Sequence, residues 1–210
     1  PSSPCIIGVG HGGEVQVSDI DGRNVRQLTG ASSYTHFVDW STDGRRFALA
    51  ADHDVTVWTA SLELVARLRH DDLVEEVVMG PRGETLAIFS AQEFESTLHR
   101  IGESAARTFD GRIADIGPKG QHIAIDQRDR LVVREIGGKT LYTSREPAGR
   151  YPARFDASKP VVWVGIGAVA RRVNLQTGAV RDVAAVDFQT ETEPGTIALG
   201  LTPTFEDVLV

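Results

Sequence analysis

Short apolar stretches alternate with polar turns along the chain, and the alternation repeats at an interval near forty residues. Each repeat contains a pair that separates two apolar stretches: Asp43-Gly44, Arg82-Gly83, Lys119-Gly120, Ser158-Lys159 and Pro194-Gly195. The second members of these pairs are 39, 37, 39 and 36 residues apart. Short strands at such a period are typical of a β-propeller, in which each repeat forms a blade of four antiparallel strands. The pattern therefore predicts an all-β fold.

The repeat is clearest between Thr35 and His70. THFVDW alternates and predicts strand a, FALAA is continuously apolar and predicts a strand b that is covered on both faces, and VTVW predicts strand c. The segment SLELVARLRH at 61–70 has apolar residues near helical spacing, which is compatible with a short helix. It lies where strand d belongs, so we expect a strand.

The same strand order predicts full units at 35–73, 74–110, 111–149 and 150–186. Residues 1–34 match strands b, c and d only, and residues 187–210 match a, b and part of c. In one arrangement the C-terminal strand a completes the N-terminal blade, which gives five blades closed by strands from both termini and a surplus hairpin. In the other, the segment belongs to a larger ring and keeps four full blades with two partial ones. We expect a single propeller domain over 1–210 with five to six blades.

Two consecutive segments, SDIDGRNVRQLTG and FVDWSTDGRRFALA, resemble the repeat of TolB-type propellers. They share its Asp-Gly c–d turn, a strand that ends in Leu-Thr, and its Trp-Ser-x-Asp-Gly hairpin. VTVW, with Trp58 at the tryptophan position, and His70 near the place of the Gly-His pair resemble the WD repeat. Later units lack the tryptophan, and no single unit supplies the His–Ser–Asp–Trp network of WD repeats. The resemblance implies a rigid scaffold that presents loops to a partner, generally another protein, and it does not imply catalysis.

Composition narrows the class of partner. The 210-residue chain has a formal charge of −7, which argues against a surface for nucleic acid or anionic membrane. No apolar run reaches the roughly 18 residues of a membrane-spanning helix. Cys5 is the only cysteine, which favours the cytoplasm, and a periplasmic location is compatible with removal of a leader. The start at Pro1 and the excess of arginine over lysine predict a segment of a larger protein from a GC-rich, bacterial source.

No motif predicts catalysis, a cofactor or a bound metal. Asp19-x-Asp21-Gly22 resembles the opening of a calcium loop, but Thr29–Ala31 supply no acidic ligand, so we interpret it as a c–d turn. The histidines show no metal-ligand spacing: His11, His36, His53, His70, His99 and His122. There is no Gly-x-Ser-x-Gly elbow, and Cys5 lies in an apolar strand where a thiol is inert. We therefore expect a non-enzymatic protein.

The b–c and d–a loops share one end of the blades and vary most in sequence, so we expect a partner to bind there. The candidate binding residues are mainly aromatic and arginine side chains, which are enriched at interfaces: Tyr34, His53, Phe94, Arg128, Arg130, Arg150 and Tyr151. Phe94 is the most telling, because its flanking residues are all polar. Packing between adjacent blades is an equal alternative for Tyr34 and Tyr151, and solvated edge charge is the default explanation for Arg128 and Arg130.

Two functional classes remain open. The first is a non-catalytic interaction scaffold or sensor whose partner is another protein or another domain of the same polypeptide. The second is a propeller, associated with an enzymatic domain, that binds a small ligand or cation in a central pore. The pore would be walled by charged residues of the a strands: Asp39, Glu75, Glu76, Asp115 and Arg154. Carboxylates that point together into the channel would favour the second class, and scattered, salt-bridged carboxylates the first.

Overall fold

The computed structural model describes residues 5–9, 14–19, 21–29, 35–145, 153–156, 158–166 and 169–185. These residues form nineteen strands in five antiparallel sheets, and no helix occurs among them.

The first sheet contains β1 (Cys5–Val9), β2 (Val15–Asp19) and β3 (Arg26–Gln27). The second contains β4 (Phe37–Trp40), β5 (Arg46–Ala51), β6 (Asp54–Thr59) and β7 (Leu64–Arg69). The third contains β8 (Glu76–Met79), β9 (Thr85–Ser90), β10 (Glu95–Arg100) and β11 (Ala106–Asp110). The fourth contains β12 (Arg112–Ile116), β13 (His122–Asp126), β14 (Leu131–Glu135) and β15 (Thr140–Thr143). The fifth contains β16 (Ala153–Phe155), β17 (Val161–Ile166), β18 (Val169–Asn174) and β19 (Val180–Ala185).

Each sheet is one blade, and within it the strands pair in chain order. We number the blades first to fifth and label the strands of a four-stranded blade a to d. The first blade has three strands, which correspond to the predicted b, c and d. The predicted architecture of four-stranded antiparallel blades is confirmed. The predicted sixth unit, 187–210, and the predicted closure by both termini lie outside the described residues.

The strand-ending pairs form the a–b turns. Three of them supply a glycine at a position where the backbone has a positive φ. The φ angles are 65° at Gly44, 65° at Gly83 and 61° at Gly120. In each of these turns the glycine N–H donates to the carbonyl three residues earlier, at 2.8 Å. At the fourth turn, Asp156 Oδ1 accepts the backbone N–H groups of Ser158 and Lys159, each at 2.9 Å. The fifth pair, Pro194-Gly195, lies outside the described residues.

Four apolar interfaces hold neighbouring blades together. Strands β5 and β9 are buried over nearly their whole length, as the FALAA pattern predicts. Phe47 and Trp58 of the second blade pack against Val15 and Val17 of the first. Equivalent clusters join the second blade to the third, the third to the fourth, and the fourth to the fifth. The a strands β4, β8, β12 and β16 contact one another in that order, so they form one edge of the stack.

The segment 61–70 forms strand β7 rather than the alternative short helix. β7 pairs antiparallel with β6, and its hydrogen bonds to a neighbouring strand outweigh the helical spacing of its apolar residues. In β6 the indole N–H of Trp58 donates to Thr56 Oγ1 at 2.9 Å. The tryptophan is therefore satisfied within its own strand.

Candidate functional site

The antiparallel strand order sorts the turns onto two opposite ends of each blade. The a–b and c–d turns lie at one end, which we call the a–b face, and the b–c and d–a turns lie at the other, the b–c face. The described b–c turns fall at residues 52–53, 91–94 and 127–130. Four of the predicted binding residues belong to them: His53, Phe94, Arg128 and Arg130.

Phe94 and Arg128 come from adjacent blades and contact each other on the b–c face. The guanidinium carbon of Arg128 lies 4.1 Å from the centroid of the Phe94 ring, which is a cation–π geometry. The Phe94 ring also meets the buried Phe89 edge-on, with 5.5 Å between ring centroids. Phe94 is half-buried, because its ring packs on Phe89 and is covered in part by Arg128.

The b–c turns adopt a backbone conformation that non-glycine residues seldom use. The φ angle is 53° at Phe94 and 59° at Arg128, and it is 50° at Asp52 in the corresponding turn of the second blade. This left-handed conformation costs roughly 1 kcal/mol or more for a residue with a side chain. The turns therefore hold side chains where the backbone alone favours glycine, as the c–d turns also do at Asn24 and Leu62.

Polar contacts surround the Phe94–Arg128 pair. Gln127 Nε2 donates to the carbonyl of Asp110 at 3.0 Å, which joins the fourth blade to the third. Gln127 Oε1 accepts a hydrogen bond from Arg130 Nε at 3.1 Å. Arg130 Nε also lies 3.8 Å from a carboxylate oxygen of Asp129, and both side chains are largely exposed. Arg130 is therefore a partly neutralised cation beside the pair.

The remaining predicted residues lie apart from this pair or outside the described chain. His53 is on the b–c turn of the second blade, where its carbonyl accepts the N–H of His70 at 2.8 Å. Tyr34, Arg150 and Tyr151 lie outside the described residues, so their roles stay predictions.

The a strands bring three of the five proposed pore residues to one cavity. Asp39, Asp115 and Arg154 line an opening of about 530 Å³ whose rim is formed by a–b turns. Asp39 Oδ2 accepts the backbone N–H of Met79, and Asp115 Oδ2 accepts that of Phe155, each at 2.7 Å. Arg154 Nη1 lies 3.6 Å from Asp115 Oδ1. Each carboxylate thus ties its own blade to the next one.

Burial has the largest influence on the pKa of these carboxyls. It raises the pKa of Asp115 to about 6, against the opposing effects of Arg154 and of backbone N–H groups. It also raises the pKa of Asp39. Glu76 pairs instead with Arg112 at 3.2 Å, and Glu75 is exposed. Most of these carboxylates are bonded to the protein itself, which favours the scaffold class.

The candidate calcium loop is a turn. Gly22 has a φ of 75° and donates its N–H to the Asp19 carbonyl at 2.9 Å. Asn24 Nδ2 donates to Asp19 Oδ2 at 2.6 Å. Within the described residues, no group of three or more potential metal ligands occurs. A search of the same residues finds no helix that is long and apolar enough to cross a membrane.

The sequence-based predictions did not include two contributors to the b–c face. Phe89 supports Phe94 but belongs to the apolar strand pattern LAIFS, so it was indistinguishable from an ordinary core residue. Gln127 joins Arg130 to the third blade. Its position in the same b–c turn as Arg128 is the sequence signal that predicts a role for Gln127 at the b–c face.

The sequence is similar to that of known proteins only over limited lengths. No protein-family model matches the chain. The chain is 27% identical to the intraflagellar transport protein 122 homologue of Danio rerio over 150 residues, which is 67% of this chain and 12% of that protein. It is 34% identical to the homologue of Xenopus tropicalis over 88 residues, or 41% of this chain and 7% of that protein. The chain therefore spans only a small part of the length of these relatives.

Solved propellers share the fold. The β-propeller domain of Cps50 (Swd1) from Myceliophteria thermophila aligns with a TM-score of 0.57 and 18% identity, over 80% of this chain and 60% of that one. A chain of the mitotic checkpoint complex aligns with a TM-score of 0.63 and 16% identity, over 82% of this chain and 58% of that one. Together with the five antiparallel blades, these likenesses show that the chain has a β-propeller fold.

Proposed function

We propose that residues 1–210 form one propeller domain that acts as a non-catalytic protein-interaction module, and that its b–c face contacts the partner. The proposal rests on the Phe94–Arg128 pair, which is held at 4.1 Å across the boundary between two blades. Aromatic and arginine side chains supply much of the binding energy at protein interfaces. The partner is another protein or another domain of the same polypeptide.

The similar proteins support an interaction role. One structural neighbour was solved within the mitotic checkpoint complex, and the sequence relatives are named for intraflagellar transport. The chain spans 12% or less of the length of the two relatives described above, which supports its being one module of a longer protein. These relatives are vertebrate, so a bacterial source and a TolB-type affiliation stay predictions from the sequence.

The contacts of the charged residues in the a strands also favour a scaffold function rather than a pore that binds a ligand. Asp39 and Asp115 each accept a backbone N–H from the next blade, so one oxygen of each carboxyl is already bonded to the protein. Glu76 is neutralised by Arg112. These carboxylates therefore join neighbouring blades, which is the role expected in a scaffold.

Photo-crosslinking from position 94 tests the proposal. We expect p-benzoylphenylalanine in place of Phe94 to crosslink a distinct protein in an extract of the native cells. An excess of unmodified chain should suppress that product, whereas a chain with Phe94→Ala and Arg128→Ala should not. The same crosslinker in place of Arg45, whose side chain is 83% exposed on the a–b face, is the matched control. Identical products from both positions, or suppression by the double variant, would contradict the proposal.

A further inference from the structure

The a–b face carries a cleft between the third and fourth blades. Its volume is about 390 Å³, and its walls include the apolar side chains of Leu98 and Ile136 and the a–b turns of both blades. The position two residues after each turn glycine determines how tightly two blades close here. Arg46 occupies that position in the second blade, and Thr85 occupies it in the third.

Arg46 closes the boundary between the second and third blades. Its Nη1 donates to the Gly83 carbonyl at 2.9 Å, and a Cβ on Gly83 would lie 2.7 Å from its side-chain carbons. Thr85 is too short to fill the equivalent space, because a Cβ on Gly120 would lie 3.7 Å from its nearest atom. The space that Thr85 leaves is part of the cleft.

The charged side chains of the cleft are mostly cationic. They are Arg82, Arg100, Arg107 and Lys119 against Glu84 and Glu103. Arg100 pairs with Glu103 at 3.4 Å, and Arg107 donates to the Ile136 carbonyl at 3.1 Å. Arg82 and Lys119 are exposed, and neither makes an ion pair or a side-chain hydrogen bond with the described part of the chain. The cleft is therefore locally positive on a chain whose formal charge is −7.

We propose that this cleft binds an acidic segment of a partner protein, with carboxylates paired to Arg82 and Lys119 and one apolar side chain packed against Leu98 and Ile136. A positive site on an acidic protein attracts carboxylate-rich chains by charge complementarity. The cleft lies at the opposite end of the blades from Phe94 and Arg128. It is thus a second docking surface, and its failure would leave the proposed role of the b–c face intact.

A fluorescent peptide with two glutamates on each side of a central leucine is the probe, and fluorescence anisotropy at low salt is the measurement. We expect the chain to bind it, and Arg82→Glu with Lys119→Glu to weaken binding at least tenfold. Arg23→Glu with Arg69→Glu makes the same change in net charge at side chains that are 81% and 78% exposed, and it should leave binding unchanged. Equal weakening by the two double variants would overturn the proposal, as would no binding of the peptide.

The variant Thr85→Arg distinguishes a peptide that inserts into the cleft from one that is only attracted to its positive charge. The new arginine should close the cleft as Arg46 closes the neighbouring boundary, and thus weaken peptide binding at least fivefold although it adds a positive charge. Unchanged unfolding by urea would show that the variant folds, as the Arg46 precedent predicts. Stronger binding by Thr85→Arg would overturn the proposal. Tighter binding of a single-stranded oligothymidylate than of the acidic peptide would also overturn it.

Discussion

The boundary between the second and third blades and the boundary between the third and fourth are closed in different ways. At the first, Arg46 binds the Gly83 carbonyl on the a–b face, and on the b–c face the backbone N–H of Val74 donates to the Asp52 carbonyl at 2.7 Å. At the second, Thr85 leaves a cleft on the a–b face. The b–c face there has the equivalent backbone bond, from the Gly111 N–H to the Phe94 carbonyl at 2.9 Å, and adds the side-chain contacts of Phe94 with Arg128 and of Gln127 with Asp110.

The a strands show the same difference. Asp39 in the second blade and Asp115 in the fourth bind a backbone N–H of the following blade. The corresponding position in the third blade is Val78, which has no side-chain acceptor. Blades of one repeat thus differ at two equivalent positions, and the boundary between the third and fourth blades, which lacks the contacts made by Arg46 and Asp39, carries both proposed docking surfaces.

The largest expected effect compares two turn glycines with nearly equal φ, Gly83 at 65° and Gly120 at 61°. Alanine at either position must adopt the left-handed backbone conformation, which lowers the free energy of unfolding by roughly 1 kcal/mol. Gly83→Ala also collides with the Arg46 side chain, so we expect it to lower the free energy of unfolding by about 3 kcal/mol in total. Urea denaturation of the two variants measures this. Equal losses would show that the two boundaries are equally tight.

The next effect is a dependence of the free energy of unfolding on pH, caused by Asp115. This residue occupies in the fourth blade the position that Asp39 occupies in the second. Its pKa in the folded chain, about 6, lies above the ordinary 3.8, so the folded state holds the proton more tightly. Its contribution to stability is therefore present below about pH 4 and is lost as the pH rises through 6. We expect the wild-type chain to lose about 2 kcal/mol relative to Asp115→Asn between pH 4 and 7. Parallel stability curves for the two proteins, measured by urea unfolding across that range, would rule this out.

Removing the Asp39 carboxylate should have a smaller effect. Asp39→Ala leaves the Met79 N–H without its acceptor, which costs about 1–2 kcal/mol of the free energy of unfolding. Asp39→Asn keeps an acceptor oxygen and should cost less than half as much. Thermal denaturation of both variants provides the test, and an alanine variant as stable as the asparagine variant would deny Asp39 a role in joining the blades.

The smallest expected effect is the coupling between Phe94 and Arg128. A cation–π pair at a partly exposed site contributes about 0.5–1 kcal/mol. A double-mutant cycle with Phe94→Ala and Arg128→Ala should yield that coupling energy in the free energy of unfolding. Additive single-variant effects would mean that the two side chains are neighbours without an energetic link.

Most of the fold was predictable because turn chemistry and strand periodicity are local. A glycine determines three of the four described a–b turns, so the strand bounds near Gly44, Gly83 and Gly120 followed from the sequence. The contact between Phe94 and Arg128 was not predictable, because it joins residues 34 positions apart through two left-handed turns. The cleft was visible in principle. Aligning the repeats on their turn glycines places Thr85 opposite Arg46, and the loss of a long side chain there predicts a gap.

The affinity of the crosslinked partner for three versions of the chain tests the proposed b–c face most directly. We expect Phe94→Ala with Arg128→Ala to bind the purified partner at least tenfold more weakly than the wild type. Arg82→Glu with Lys119→Glu, on the a–b face, should leave that affinity within a factor of two. Equal affinity of the wild type and the Phe94–Arg128 double variant would contradict the assignment of the b–c face as the binding surface.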